Sequence, residues 1–281
     1  MFRSIADAGA ALEFTGAFHH SQYIRPSVPA IIQRWQDFSM GAGIPAYNAY
    51  VGVPLEFTPL IGNRNRSIYA GEPTVIGEDK KLFQIQFNVL SATTPASFML
   101  CDYLGFYPLI DYGSSDLQEM DNTAPLSRYS NGVGVQMMLV NSVATTINSA
   151  ITITYIDSND VTRTVTVNTN TAQTGLIQGV FGALGGQGIP PFLPLQSNCP
   201  GVKQVVSVQS DGAGDGLGNL VLVKPITGVS VPESNIICEV NFINDKMIFP
   251  KIENQAFLNF IGIGSVSATM VVRAELLFIR G

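Results

Sequence analysis

Apolar and polar residues alternate through Phe83-Gln84-Ile85-Gln86-Phe87-Asn88-Val89, the period of two expected of a half-buried β-strand. The same alternation closes the chain. Over Ala268–Ile279, Met270, Val272, Ala274, Leu276 and Phe278 fall on one face, against Val271, Arg273, Glu275, Leu277 and Ile279 on the other. Val133–Val140 is rich in Val and Met and reads as a buried strand. Ser149–Ile156 and Val161–Asn168 read as a hairpin around the turn formers Asp157-Ser158-Asn159-Asp160, with Thr162, Thr164 and Thr166 as a β-branched polar ladder. Gly201–Gln209, Asn219–Lys224 and Ile236–Ile243 follow as strands. About nine strands with few helices predict an all-β chain, an antiparallel β-sandwich with a jelly roll as one form of it. The alternating helical segments that a parallel α/β sheet needs are missing.

Two short helices are expected. Pro29–Phe38 places Ile31, Ile32, Trp35 and Phe38 on one helical face behind a proline suited to a first turn, and Gly41 stops it. Asp116–Asp121 follows Ser115-x-x-Gln118, a capping-box pattern. Residues 1–75 are otherwise punctuated by proline and glycine. They read as an irregular, extended N-terminal arm that either caps its own domain or reaches over a neighbouring subunit. Residues 76–281 form the sandwich domain, with 147–200 as an outer hairpin followed by an apolar contact loop.

Charge changes the picture. Only 13% of the 281 residues are Asp, Glu, Lys or Arg, about half the usual share of a soluble domain. The segments 129–156 and 164–202 carry no acid, base or histidine. Buried interfaces are depleted of charge in this way, so neighbouring subunits are expected to cover part of the surface. The candidate intersubunit contacts are Trp35, Tyr47, Tyr50 and Phe57 in the arm, and Phe181, Leu184, Ile189, Phe192 and Leu193 in the glycine-rich loop after Gly179. The net charge of −6 and a pI near 4.9 argue against nucleic acid as a partner. No run of about 18 apolar residues is present to cross a membrane, and the first residues lack the apolar core of a secretory signal. Cys101, Cys199 and Cys238 require no disulfide.

Candidate chemistry is sparse. His19 and His20 are adjacent, so on a strand they point to opposite faces and do not chelate one ion. Asp211, Asp215 and Asn219 are rich in oxygen but lack the EF-hand spacing and its terminal glutamate. Glu119 and Asp121 read as a solvated face. The glycines of 179–188 precede no Gly-Lys-Ser/Thr and so make no phosphate loop. No catalytic, cofactor-binding or metal residue is assigned, and no enzymatic activity is expected. Two alternatives are an adhesive, carbohydrate-binding sandwich using Tyr103, Phe106, Tyr107 and Tyr112, and a hydrolase with an unrecognised acid pair.

Trp35–Tyr50 with Thr58–Arg64, and Cys101–Asp111 with Leu126–Gln136, resemble virion structural proteins of tailed bacteriophages. The resemblance covers roughly a third of the chain by texture, not by a catalytic signature. It implies a head decoration (cement) subunit first, and a portal-vertex or tail component next. It further implies the major capsid protein or neighbouring virion subunits as partners, a homo-oligomer (a trimer), and a virion location after assembly in the host cytoplasm.

Overall fold

The computed structural model describes residues 18–32, 34–72, 74, 78–169, 173–178, 191–242 and 249–281. Three antiparallel sheets contain all the described strands, fifteen in number. The first joins β1 (Phe18–Ala30), β15 (Ala268–Arg280), β4 (Lys80–Val89) and β13 (Ile237–Asn241) in that spatial order. The second, the largest, runs β10 (Ile177–Gln178), β7 (Gln136–Asn141), β12 (Leu217–Val231), β5 (Ala96–Asp111), β14 (Leu258–Gly264) and β2 (Trp35–Asp37). The short β3 (Thr58–Pro59) pairs with β5 off this path. The third joins β6 (Gln118–Glu119), β11 (Val202–Ser210), β8 (Ala150–Asp157) and β9 (Thr162–Asn168).

The large sheet curls until its ends meet. The Asp37 N–H donates to Gly175 O at 2.9 Å, and Gln36 bridges Leu176, so β2 lies against the β10 end in a nearly closed barrel. Cys101, Tyr103, Phe106, Met138, Val140, Val221, Val223 and Ile261 fill one face of this sheet. Alternate residues of the same strands serve the other face. Phe98 and Leu100 of β5 and Val229 and Val231 of β12 pack against the first sheet. Leu104, Ile110, Leu220 and Leu222, further along the same two strands, pack against the third. β5 and β12 are thus buried on both faces. That explains why β5 reads as a continuous apolar run with no alternation, a pattern that left it unrecognised in the sequence.

The all-β, antiparallel expectation is what forms, and the strands expected from alternation are present. The Asp157–Asp160 turn holds as expected, because the buried Asp157 carboxylate accepts from Asn159 N (2.8 Å), Val161 N (3.0 Å) and Arg163 Nε (3.0 Å). Neither expected helix forms. Pro29 and Val28 pair with Thr269 and Met270 of β15, and Trp35–Asp37 join β14, so only the single 3₁₀ turn Phe38–Met40 remains. The supposed helical face is split, with Phe38 buried and Ile32 exposed. At 116–121, the Gln118 side chain accepts from Asp111 N and donates to Asp111 O, both at 2.8 Å, and β6 pairs with β11. Those bonds take the glutamine away from a capping role. The described part of 1–75 is woven into the first sheet and the barrel.

Candidate intersubunit surface

Residues 41–61 carry one charge, Glu56, and expose Ile44, Tyr47, Val51, Val53 and Ile61. Val51 is 82% exposed and Tyr47 59%. The segment is nonetheless held firmly. At its start the buried Arg25 of β1 donates from Nε to Phe38 O (2.7 Å) and from Nη1 to Pro45 O (2.6 Å). The Tyr23 ring lies 4.4 Å from the Arg25 guanidinium. In the middle, Tyr50 points inward and its hydroxyl donates to the buried Asp37 carboxylate at 2.5 Å. Tyr103 donates to the same carboxylate at 2.8 Å, and Ser39 donates from both N and Oγ at 2.9 Å. Burial pushes the Asp37 carboxyl above the usual range, while these four hydrogen bonds pull the other way.

Further along, the tip of the Phe57 ring packs close to Gly105 of β5. A Cβ on that glycine would stand 2.3 Å from the Phe57 ring, so the close approach requires glycine there. Leu55 N donates to Pro108 O (3.0 Å) and Leu60 N to Leu104 O (3.0 Å). Arg128 closes the arrangement. It forks onto Asp102 (2.9 and 2.7 Å) and donates to Leu60 O (3.0 Å), with both charged side chains buried. Buried pegs therefore alternate with outward apolar side chains on a rigid base. A surface already ordered before contact loses little conformational entropy when a partner arrives.

A second apolar group lies at one end of the first sheet. The register brings together the end of β1 (Ala30 opposite Ala268), the end of β4 (Leu90 N donating to Val271 O, 2.8 Å) and the start of β13 (Ile237 opposite Asn88). Ile32, Leu90, Val266, Ile236 and Ile237 are all exposed at this end.

The residues singled out from sequence divide sharply. Tyr47 is exposed as a contact requires. Tyr50, Phe57 and Leu193 are buried in the chain's own core, out of reach of a partner, and this corrects their assignment. Trp35 and Phe192 are half-buried against the barrel core. Phe181, Leu184 and Ile189 lie outside the described residues. Sequence reasoning missed Ile44, Val51, Val53 and Ile61, for which the signal was the near absence of charge from 41 to 61.

The candidate chemistry resolves into structural roles. Asp215 accepts from Thr146 N (2.7 Å), Thr146 Oγ1 (2.5 Å) and Ile147 N (2.8 Å), and Asp211 accepts from Ala150 N and Ala213 N (both 3.0 Å). These bonds hold both carboxyls below the usual range. His19 packs edge-on to Tyr69 at 5.0 Å, and His20 Nε2 lies 3.4 Å from Glu275. Tyr103, Phe106, Tyr107 and Tyr112, the aromatics of the carbohydrate alternative, are all buried and present no stacking face. Among the described residues, no group of three or more His, Cys, Asp or Glu side chains is placed to hold a metal ion, and no helix is long and apolar enough to cross a membrane. Cys101, Cys199 and Cys238 are free thiols.

No protein-family model matches the chain, and no curated protein matches it. Among solved structures it is similar at a low level to a chain of the infectious bursal disease virus Gt strain, with 8% identity over 93% of this chain and 80% of that one and a TM-score of 0.18. A chain of infectious bursal virus derived T=1 particles gives 10% identity over 93% and 77%, with a TM-score of 0.17. The VP2 subviral particle of the same virus gives 9% identity over 93% and 80%, with a TM-score of 0.15. Similarity at this level does not establish a shared fold.

Proposed function

We infer that this chain is a non-enzymatic structural subunit of a virus particle, a decoration or cement protein that binds a capsid lattice through uncharged apolar contacts. The observation that carries the reading is the rigid 41–61 surface, which holds one charge and displays Ile44, Tyr47, Val51, Val53 and Ile61. The chain's total accessible surface of 12235 Å² is close to the roughly 12,000 Å² that scaling gives for a compact monomer of this mass. The low charge therefore sits on a surface of ordinary size. A subunit that binds only the assembled lattice stabilises that lattice by mass action.

The test is co-sedimentation of the purified chain with capsid particles, with copy number measured by mass spectrometry. Val51→Asp with Val53→Asp is expected to weaken particle binding by tenfold or more without lowering the Tm, because exposed positions tolerate polar replacement. Unchanged binding by a folded double variant would remove this surface from the contact. A chain absent from purified particles would overturn the structural role itself.

A further inference from the structure

The first sheet ends in an arrangement that a sheet ordinarily avoids. Lys80 of β4 stands directly opposite Arg280 of β15, two like charges in one cross-strand pair. Lys80 is also almost wholly buried, at 4% exposure. Its Nζ makes one hydrogen bond, to Gly71 O at 2.9 Å, and no carboxylate oxygen among the described residues lies within 4 Å of it. An ammonium has three donors, and among the described residues one of them is taken. Burial and the charge of Arg280 both press its pKa down, with Glu72 acting weakly in the opposite sense. An isolated buried cation is costly unless something pairs with it.

Beside Lys80 opens a cleft of about 250 Å³ bounded by Phe18, His19, Gly71, Glu72, Lys80 and Arg280. It exceeds the roughly 150 Å³ that accepts benzene in an engineered core. One acid, Glu72, lines the cleft, and a second, Glu78, pairs with the Arg280 that bounds it. Glu72 binds Arg64 at 2.5 Å, and Glu78 lies 3.3 Å from Arg280 Nε. Among the described residues, Lys80 Nζ thus has no carboxylate oxygen within 4 Å, although Glu72 lines the same cleft. We propose that this cleft is a binding site for a small oxyanion of phosphate size, held by Lys80 Nζ with the Arg280 guanidinium and the His19 ring alongside. The anion would pair with the Lys80 ammonium and accept from its further donors. The site is separate from the 41–61 surface and does not depend on the assembly reading.

The test is calorimetric titration of the intact chain with inorganic phosphate at constant ionic strength, with chloride as the reference salt. Saturable binding of phosphate beyond chloride is expected, weakened tenfold or more by Lys80→Met and severalfold by Arg280→Gln. Arg64→Gln, which frees the Glu72 carboxylate inside the cleft, is expected to weaken binding as well, whereas Arg163→Gln, on β9 of the third sheet, is expected to bind as the parent does. Phosphate binding no stronger than chloride would overturn the proposal. So would undiminished binding by Lys80→Met, or by Arg280→Gln should the lysine variant fail to fold.

Discussion

Asp37 shows how one side chain can decide the course of a whole segment. Its carboxylate gathers Tyr50, Tyr103 and Ser39 inside the barrel, tying the 38–50 turn to β5 across a long interval of sequence. Replacement by Ala leaves two tyrosine hydroxyls buried without their acceptor. Asp37→Ala should cost about 2–4 kcal/mol of stability, read as a fall in Tm, with Asp37→Asn losing less because an amide oxygen still accepts. Arg128 is the parallel case. Arg128→Met strands Asp102 as a lone buried charge and should cost about 3–5 kcal/mol, whereas replacing both partners with apolar residues of similar volume should recover much of the loss in a denaturation series. None of these roles was legible in the sequence. An aspartate amid apolar residues carries no mark of which distant tyrosines it will meet.

Among elements, the loops pinned by Asp211 and Asp215 make a prediction about acid. An aspartate in an unfolded chain titrates near 3.9, and both carboxyls lie below the usual range in the fold. Their stabilisation is therefore complete above the ordinary value and is lost as pH falls through the depressed folded values. Asp37, raised by burial, has the opposite sign, since ionising it costs stability as pH rises past the ordinary range. A local probe separates the two. Amide hydrogen exchange at Thr146, Ile147 and Ala150, the bonded N–H groups, should lose protection on acidification before the barrel strands do. Gly105 supplies the element-scale counterpart. Gly105→Ala drives a Cβ into the Phe57 ring and should cost about 1–3 kcal/mol by overpacking. It should also loosen the 41–61 surface, seen as faster proteolysis within that segment.

Elements solvated on one face were readable because alternation survives wherever one face meets water. β4, β8, β9 and β15 all carried that signature. β5 and β14 did not, since both of their faces are covered and the polar half of the pattern is gone. The expected helix at 29–38 failed for a related reason. Its i, i+3, i+4 spacing is real, but pairing with β15 and β14 provides backbone partners that outweigh local propensity.

For the whole molecule, the charge deficit takes on spatial meaning. Exposed apolar side chains stand along 41–61, which carries one charge, and at one end of the first sheet, where Ile32, Leu90, Val266, Ile236 and Ile237 are exposed. If both groups contact neighbours in a lattice, Ile237→Lys should reduce particle binding independently of Val51→Asp, and the two effects should add when binding is expressed as free energy. That outcome is expected for distant sites without shared partners.

Hydrophobic periodicity and composition by themselves determined the fold class, the hairpin at Asp157–Asp160, the half-buried strands and the poverty of charge, because each follows from residues near one another in the chain. Only the tertiary structure decided that the largest sheet curls on itself, that Tyr50 and Phe57 turn inward while Tyr47 and Val51 turn outward, and that Lys80 faces Arg280. Those outcomes rest on contacts between distant segments, and whether an apolar side chain is core or contact depends on what the rest of the chain brings to cover it.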